Sequence, residues 1–487
     1  MCRRLLLCAQ VGCATDDDFV PFACSLDFAI KTLEELPYCL VALYELRFVT
    51  LLLFAVDKHL ATRMDLMNKE FLAFTKDLSL NTESVFKQDP KLAAAIDKLC
   101  TSERKFIAAG SVSLPEPALK PSYVLLIEGN DARKSLIKKV EDILSDINKC
   151  ADSGDTPKLV IRNQKLWSNC IYDLDRVTLK SFSEAKKTTL CYSSSEDKRR
   201  FNIIVFVLTK VHELLSKNLT VTRRELFYQN VMRLRNQANL DVAVRDVCCL
   251  LETPPWSLGI VATAKGLIAG PLTIHHRDGS VVDCTAAGGI LIPQDIIGIT
   301  EFRSTAKFIL VVEKDAIFQK LLDEGALLRL GPVIIITGKG YPDVCTRQLL
   351  CRLCSELRLR TLALVDADPH GYEIFLTYKY GSLAQSHLSS SLACSSLVML
   401  GARHSDVMTL APVEARLPLT ELDKRKLTNL LKRPYLDTPV GARIKEELKV
   451  MLSSGVKAEI EALAPTAAAL CDAYLPAKII QSDYLGH

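Results

Sequence analysis

Two spacings of hydrophobic residues divide this chain. Between residues 201 and 252 apolar positions recur every three or four residues, the interval of helices buried along one side. FNIIVFVLTKVHELLSK (201–217) predicts a long helix. Thr222 and Glu225 then stand three apart, a pairing that caps a second helix opening at RRELFY (223–228). DVAVRDVCCLLE (241–252) predicts a third. Beyond Pro254-Pro255 the interval shortens to that of strands, in SLGIVATAKGLIAG and then LTIHHRDGSVVDCT, where Asp278-Gly279 is the hairpin turn.

Three helices followed by a β-hairpin is the order of a winged helix, a CAP-like relative of the helix-turn-helix that docks on duplex DNA. From residue 302 the pattern changes again. KFILVVE (307–313), GPVIIIT (331–337) and TLALVD (361–366) are continuous apolar runs, each followed by a helical stretch. Buried strands alternating with helices imply a Rossmann-like parallel sheet covered on both faces. Residues 420–487 predict a helical tail, 134–149 an amphipathic helix, and 192–200 a linker. The fold class expected is therefore multidomain α/β. Its segments are a helical N-terminal extension (1–132) whose structure the pattern does not otherwise define, a helical and linker region (133–200), a winged-helix domain (201–296), and a sheet domain with a helical tail (297–487).

Charge sharpens this picture. The protein carries a net +4, yet residues 198–245 hold ten Lys/Arg against three Asp/Glu, so everything outside that window is net acidic. A polyanion is drawn to one place rather than to the whole surface. At 487 residues with 49% hydrophobic and 24% charged positions, the chain suits about three globular domains. Its 17 cysteines are odd in number, and several sit inside apolar runs. The C-x-x-C at Cys351 and Cys354 has no second pair or histidine cluster at zinc spacing, so reduced thiols in a cytosolic or nuclear protein are expected. Residues 1–14 weakly imitate a signal peptide. The apolar run at 38–56 is interrupted by Glu45 and Arg47, which favours a buried or amphipathic helix over a membrane span.

Chemistry concentrates in two places. Tyr228 lies four residues after Arg224 in the basic window, where a phenolic oxygen is a possible nucleophile toward a phosphodiester. The plainer alternative is an aromatic packed on the core face of its helix. Glu313 ends one buried strand, and Asp366 with Asp368 ends another. Functional groups gather at the carboxyl ends of parallel strands, and three hard oxygen ligands suit Mg²⁺. The alternative for D-x-D is an ordinary turn cap. Gly338-Lys339-Gly340 fails as a nucleotide-binding loop, because Gly340 replaces the required Ser/Thr. With Lys339 and Arg347 nearby, that turn suits contact with a DNA backbone instead. His275 and His276, in the expected hairpin, have no zinc-spaced partners.

RRELFY, SLGIVATAKGLIAG, VVEKDAIFQKL, GKGYPDVCTR and LVDADPHGYEI follow one another in this order. Together with LTELDKRKLTNLLKRPYL and GVKAEIEALAPTAAALCDAYLPAKI in the tail, this succession resembles the meiotic double-strand-break transesterases. These form the sporulation-protein-eleven family, relatives of the catalytic A subunit of topoisomerase VI. The resemblance covers residues 133–487, and the first 132 residues have no counterpart in it. It implies a toprim domain for the parallel sheet, with Glu313, Asp366 and Asp368 as Mg²⁺ ligands. Tyr228 matches the nucleophile, Arg224 the assisting arginine, and Arg223, Lys265, Lys339 and Arg347 fall where DNA contacts are expected. His370 departs from the aromatic residue usual at its position. The implied activity is that of a type IIB topoisomerase-like DNA cleavage enzyme, grouped with the ATP-hydrolysing topoisomerases; the alternatives are a topoisomerase VI A subunit relaxing DNA with an ATPase partner, or a catalytically silent DNA-binding scaffold. The implied enzyme acts in the nucleus as a homodimer on duplex DNA, with meiotic accessory proteins including a GHKL-type B-like subunit, and without a membrane. The tyrosine of one protomer is expected to work with the metal site of the other.

Overall fold

The computed structural model describes residues 89–109, 130–173, 176–463, 469–482 and 484–486. The apolar runs at 1–14 and 38–56 lie outside those residues. The helices follow their apolar stripes. They begin with α1 (Pro90–Ala109) and α2 (Asn130–Asp152), after which strands β1 (Lys158–Arg162), β2 (Cys170–Asp173), β3 (Arg176–Leu179) and β4 (Lys187–Cys191) form two antiparallel pairs, β1 with β4 and β2 with β3. The basic window then folds as α3 (Lys198–Lys217), β5 (Val221–Thr222), α4 (Arg223–Tyr228) and α5 (Gln237–Leu251). A short strand, β6 (Ile260–Val261), returns parallel to β5.

These helices share one core. Ile204, Val207, Leu208 and Val211 of α3 pack with Leu240, Val244 and Val247 of α5 and with Val140 of α2. Asn218 ends α3 in the left-handed region (φ 53°), a conformation its short polar side chain tolerates.

The second body is built on a six-stranded sheet. Its strands are β7 (Leu267–Ala269), β10 (Ile290–Leu291), β12 (Phe308–Val312), β13 (Val333–Thr337), β14 (Arg360–Leu364) and β15 (Val398–Gly401), in the order β10-β7-β13-β12-β14-β15. Strands β12 to β15 run parallel, while β7 pairs antiparallel with β13 and β10 antiparallel with β7. Every residue of β12, β13 and β14 is buried, because each strand has neighbours on both edges and packing on both faces. Helices α6 (Asp315–Asp323), α7 (Val344–Leu357) and α8 (Pro369–Tyr380) make the crossovers. The mixed α/β architecture with a parallel sheet agrees with the reading from sequence.

Three details depart from it. The region read as helical and linker (133–200) also carries the two strand pairs, β1 with β4 and β2 with β3. The hairpin β8 (Leu272–His276) and β9 (Val281–Asp283) turns at Asp278-Gly279, with Gly279 at φ +84°. It does not pack on the three helices, however. Its Leu272 and Ile274 are buried with the sheet core, and β8 pairs with β11 (Ile299–Ser304). Neighbouring β7 is too short to stand alone and completes its backbone hydrogen bonds on the edge of β13. The tail is likewise not continuous helix. After α9 (Glu421–Leu431) and α10 (Pro439–Ser454), Gly455 turns left-handed (φ +71°) and the chain passes through a short strand, Val456–Lys457, and a single turn, Ile460–Ala462, before α11 (Leu475–Gln481).

One stretch of the N-terminal extension belongs to this second body. Leu92, Ile96 and Leu99 of α1 lie on one helical face and are buried in the same core as Leu310, Val312, Leu362 and Leu364. Lys307 pairs with Asp97 at 2.5 Å beside them. Placing a carboxylate in that core is costly. Ile96→Asp is therefore expected to undock α1, seen in hydrogen exchange as lost amide protection across residues 90–99. Unchanged protection would mean that the helix is held by something other than this face.

Candidate active site

Helix α4 has a firmly set beginning. The Thr222 hydroxyl accepts from the Glu225 N–H (3.1 Å), and the Thr222 N–H donates to Glu225 Oε2 (3.5 Å), closing the expected capping box. Only Leu226 of α4 is buried. Tyr228 is 70% exposed, its ring 5.6 Å from that of Phe227 between centroids, so the core-packing alternative does not hold. Arg224 precedes it by one helical turn, on the same face, and is also exposed. Arg233 and Arg235 are exposed just beyond, with Met232 93% accessible immediately before them. Arg223 differs: half-buried, it pairs with Asp241 at 3.6 Å and braces α4 against α5.

The carboxylates stand where the strands end. Val312, Thr337 and Leu364 are in register at the close of β12, β13 and β14, so Glu313, Gly338 and Asp366 emerge at one edge of the sheet. Glu313 Oε2 accepts the Asp366 N–H (2.9 Å), and its carbonyl accepts from the Thr337 hydroxyl and the Gly340 N–H. Asp366 Oδ1 accepts the Ile460 N–H at 3.0 Å. Asp368 caps α8, accepting the Gly371 N–H at 2.6 Å. Burial, then the Asp366 charge, push the Glu313 carboxyl well above the usual carboxylate range. Burial raises Asp366 too, although Lys314 partly offsets it.

Among the described residues, no three His, Cys, Asp or Glu side chains are close enough together to enclose an ion. The Lys314 ammonium lies 3.2 Å from Asp366 Oδ2. The hard-oxygen chemistry of the three residues fits Mg²⁺.

Glycines bring backbone close to these acids. A Cβ on Gly371 would meet the Asp366 carbonyl oxygen at 2.3 Å, and one on Gly266 would meet the Thr346 hydroxyl at 2.2 Å. The second contact seats the turn bearing Lys265, whose Nζ donates to the Lys339 carbonyl (3.0 Å). Lys339 is half-buried at φ +52° and pairs with Asp315 at 3.1 Å. Lys265 and Lys339 therefore stand together beside the carboxylates.

Arg347 requires a correction. It is 3% exposed, donates to the Leu392 carbonyl (3.2 Å) and to Gln385 Oε1 (2.6 Å), and holds the chain after α8 rather than facing solvent. Its helical register turns it inward, which motif order alone does not reveal.

Sequence reasoning missed the tail's part in the site. Glu459 and Glu461 each place a carboxylate oxygen 3.1 Å from Lys314 Nζ, and Ala458 bridges to Ala367. Gly455 was the available signal for a break there. Also missed was the group around Glu373, which accepts from the Tyr341 hydroxyl (2.5 Å) and pairs with Lys426 and Arg433. His370 lies 3.3 Å from that hydroxyl, at the rim of the site.

Comparison with known proteins gives two family matches. Residues 308–479 match the Toprim domain shared by Spo11 and the A subunit of topoisomerase 6, and residues 199–260 match the type IIB DNA topoisomerases. Meiotic recombination protein SPO11 of Mus musculus is 37% identical over 348 residues, covering 71% of this chain and 87% of the mouse protein. The A subunit of DNA topoisomerase 6 from Arabidopsis thaliana is 35% identical over 357 residues, 72% of this chain and 82% of its own. Meiotic recombination protein W68 of Drosophila melanogaster is 37% identical over 298 residues, 60% of this chain and 87% of its own.

Proposed function

The chain belongs to the family of Spo11 and the topoisomerase VI A subunit, and from that premise we propose that it is a DNA transesterase that makes meiotic double-strand breaks and so initiates recombination. The observation that carries this reading is Tyr228, an exposed phenol on a capped helix with Arg224 on the same face. In the proposed step the Tyr228 oxygen attacks a DNA phosphorus. An O–P bond forms to the 5′ phosphate, the P–O3′ bond breaks, the phenolic proton passes to solvent, and the leaving 3′ oxygen takes a proton from solvent to become a hydroxyl. A tyrosine of ordinary pKa, about 10, is a weak nucleophile at neutral pH. The Arg224 guanidinium offsets this by stabilising the developing phenolate and the crowded phosphate.

Glu313, Asp366 and Asp368 would hold Mg²⁺, which supplies charge stabilisation to a phosphate during in-line displacement. Lys265 and Lys339 sit beside them and would neutralise the adjoining DNA backbone. Cutting both strands calls for two copies related by a two-fold axis, matching the symmetry of duplex DNA, each tyrosine serving the other copy's acids. On this reading the protein works in the nucleus. Any ATP hydrolysis would reside in a separate GHKL-type B-like subunit. The test is recovery of the protein from meiotic cells with oligonucleotides joined through their 5′ ends to Tyr228, identified by mass spectrometry. Linkage to another residue overturns the assignment.

The similarity to the topoisomerase 6 A subunit supports a second reading, strand passage with an ATPase partner. Relaxation of supercoiled DNA on adding such a partner and ATP would favour it.

Affinity for duplex DNA is expected to fall roughly 40-fold between 50 and 200 mM salt if Arg224, Arg233 and Arg235 each neutralise one phosphate. Binding that stays flat across this range would remove the basic window as the docking surface.

A further inference from the structure

We propose that Lys314 is an internal counter-cation of the carboxylate site, holding Asp366 while no divalent metal is bound and withdrawing onto Glu459 and Glu461 when one enters. The inference rests on the reading that Glu313, Asp366 and Asp368 bind a divalent cation, and it adds a residue and a tail segment to that site.

The geometry is specific. One ammonium meets three carboxylates at nearly equal range: Asp366 Oδ2 at 3.2 Å, Glu459 Oε2 at 3.1 Å and Glu461 Oε2 at 3.1 Å. Burial works against a charge at Lys314, but these three acids outweigh it and the ammonium stays protonated. Its backbone is held between the end of β12 and the start of α6, while its four-carbon stem can swing. A divalent cation arriving at Asp366 would repel the ammonium. Most lysines so displaced would be left facing solvent or an empty pocket. Here two further carboxylates are already in contact, so Lys314 gives up Asp366 without losing its ion pairs.

The tail that carries those carboxylates is keyed to the same strand end. Ala458 N–H donates to the Ala367 carbonyl (3.1 Å), and Ile460 N–H donates to Asp366 Oδ1 (3.0 Å). Asp366 is thus fixed through one oxygen by the tail and covered at the other by the lysine. A metal must compete with the protein's own cation for that second oxygen. Lys314 therefore lowers metal affinity, and Glu459 with Glu461 restores part of it by offering the ammonium somewhere else to go. It is a positioning residue rather than a catalytic one.

The opposing signs make the proposal testable without measuring cleavage. Mn²⁺ is titrated into the purified full-length protein, without DNA, and free Mn²⁺ is followed by electron paramagnetic resonance. Lys314→Gln is expected to bind Mn²⁺ roughly tenfold tighter, through the removed repulsion. Glu459→Gln combined with Glu461→Gln is expected to bind several-fold weaker, because the ammonium then rests on Asp366 alone. Asp366→Asn serves as the reference. If it binds Mn²⁺ as the unmodified protein does, the metal reading itself fails, whatever Lys314 does. If it weakens binding while Lys314→Gln is unchanged or weaker, the counter-cation proposal is overturned and the metal reading survives. Should Lys314→Gln fail to fold by circular dichroism, the double variant decides alone, and unchanged or tighter binding in it overturns the proposal.

Discussion

Tyr228→Phe is expected to abolish detergent-resistant protein–DNA links while leaving fold and DNA affinity as they are. The substitution removes one oxygen from a side chain that is 70% exposed and lies beside Phe227. Surface changes of this kind shift stability by no more than about 0.5 kcal/mol. The basic residues around it are untouched, so noncovalent binding should keep both its strength and its salt dependence. Covalent chemistry has no substitute for the missing oxygen, and losing a nucleophile lowers rates on the order of 10⁶-fold. The measurement is the yield of 5′-linked oligonucleotides after denaturation, set beside equilibrium binding of the same variant. Retained covalent links would exclude Tyr228. Lost links with equally lost binding would instead make it a docking residue.

Glu313→Gln is expected to eliminate breaks and, in the metal-free protein, to raise stability at neutral pH. The sign follows from the shifted carboxyl. Folding raises the Glu313 pKa through burial and then the Asp366 charge, so the folded state holds a proton that the unfolded chain releases. The associated stability is complete below the ordinary carboxylate range and is lost as pH rises through the folded value. Glutamine avoids that loss, and its amide oxygen can still accept the Asp366 N–H that Glu313 accepts now. A gain of a few degrees in melting temperature is expected near pH 8 in the presence of a chelator, shrinking toward pH 4. A variant less stable than the parent at both pH values would show that the Glu313 carboxylate is structurally favourable and not held for a cation. Asp366 follows the same sign, weakened by Lys314.

A good deal of this was legible in the residues themselves. The capping box at Thr222 and Glu225 is a contact between neighbours in sequence, and α4 begins where that pair predicts. The stripes of α3 and α5 and the apolar runs of β12, β13 and β14 state their own burial, because period and length depend only on the local chain. Acids written directly after two of those runs had to leave the sheet at one edge once the strands were parallel and in register. Of the two readings of the D-x-D, the cap is seen at Asp368, while Asp366 is buried beside Glu313.

By itself, then, the sequence determined the helices α3 to α5 and the buried strands β12 to β14, which end of the sheet bears the acids, and that one basic window carries a tyrosine. Only the tertiary structure decided that β7 and β10 join the sheet, that Arg347 faces inward, and that α1 docks on the sheet body. It also decided that Lys314 meets Glu461, 147 residues away. Periodicity reports how a segment buries one face. It cannot say which distant segment covers that face or which charge arrives beside another, because those outcomes depend on long-range strand pairing and chain crossings that no short stretch of residues encodes.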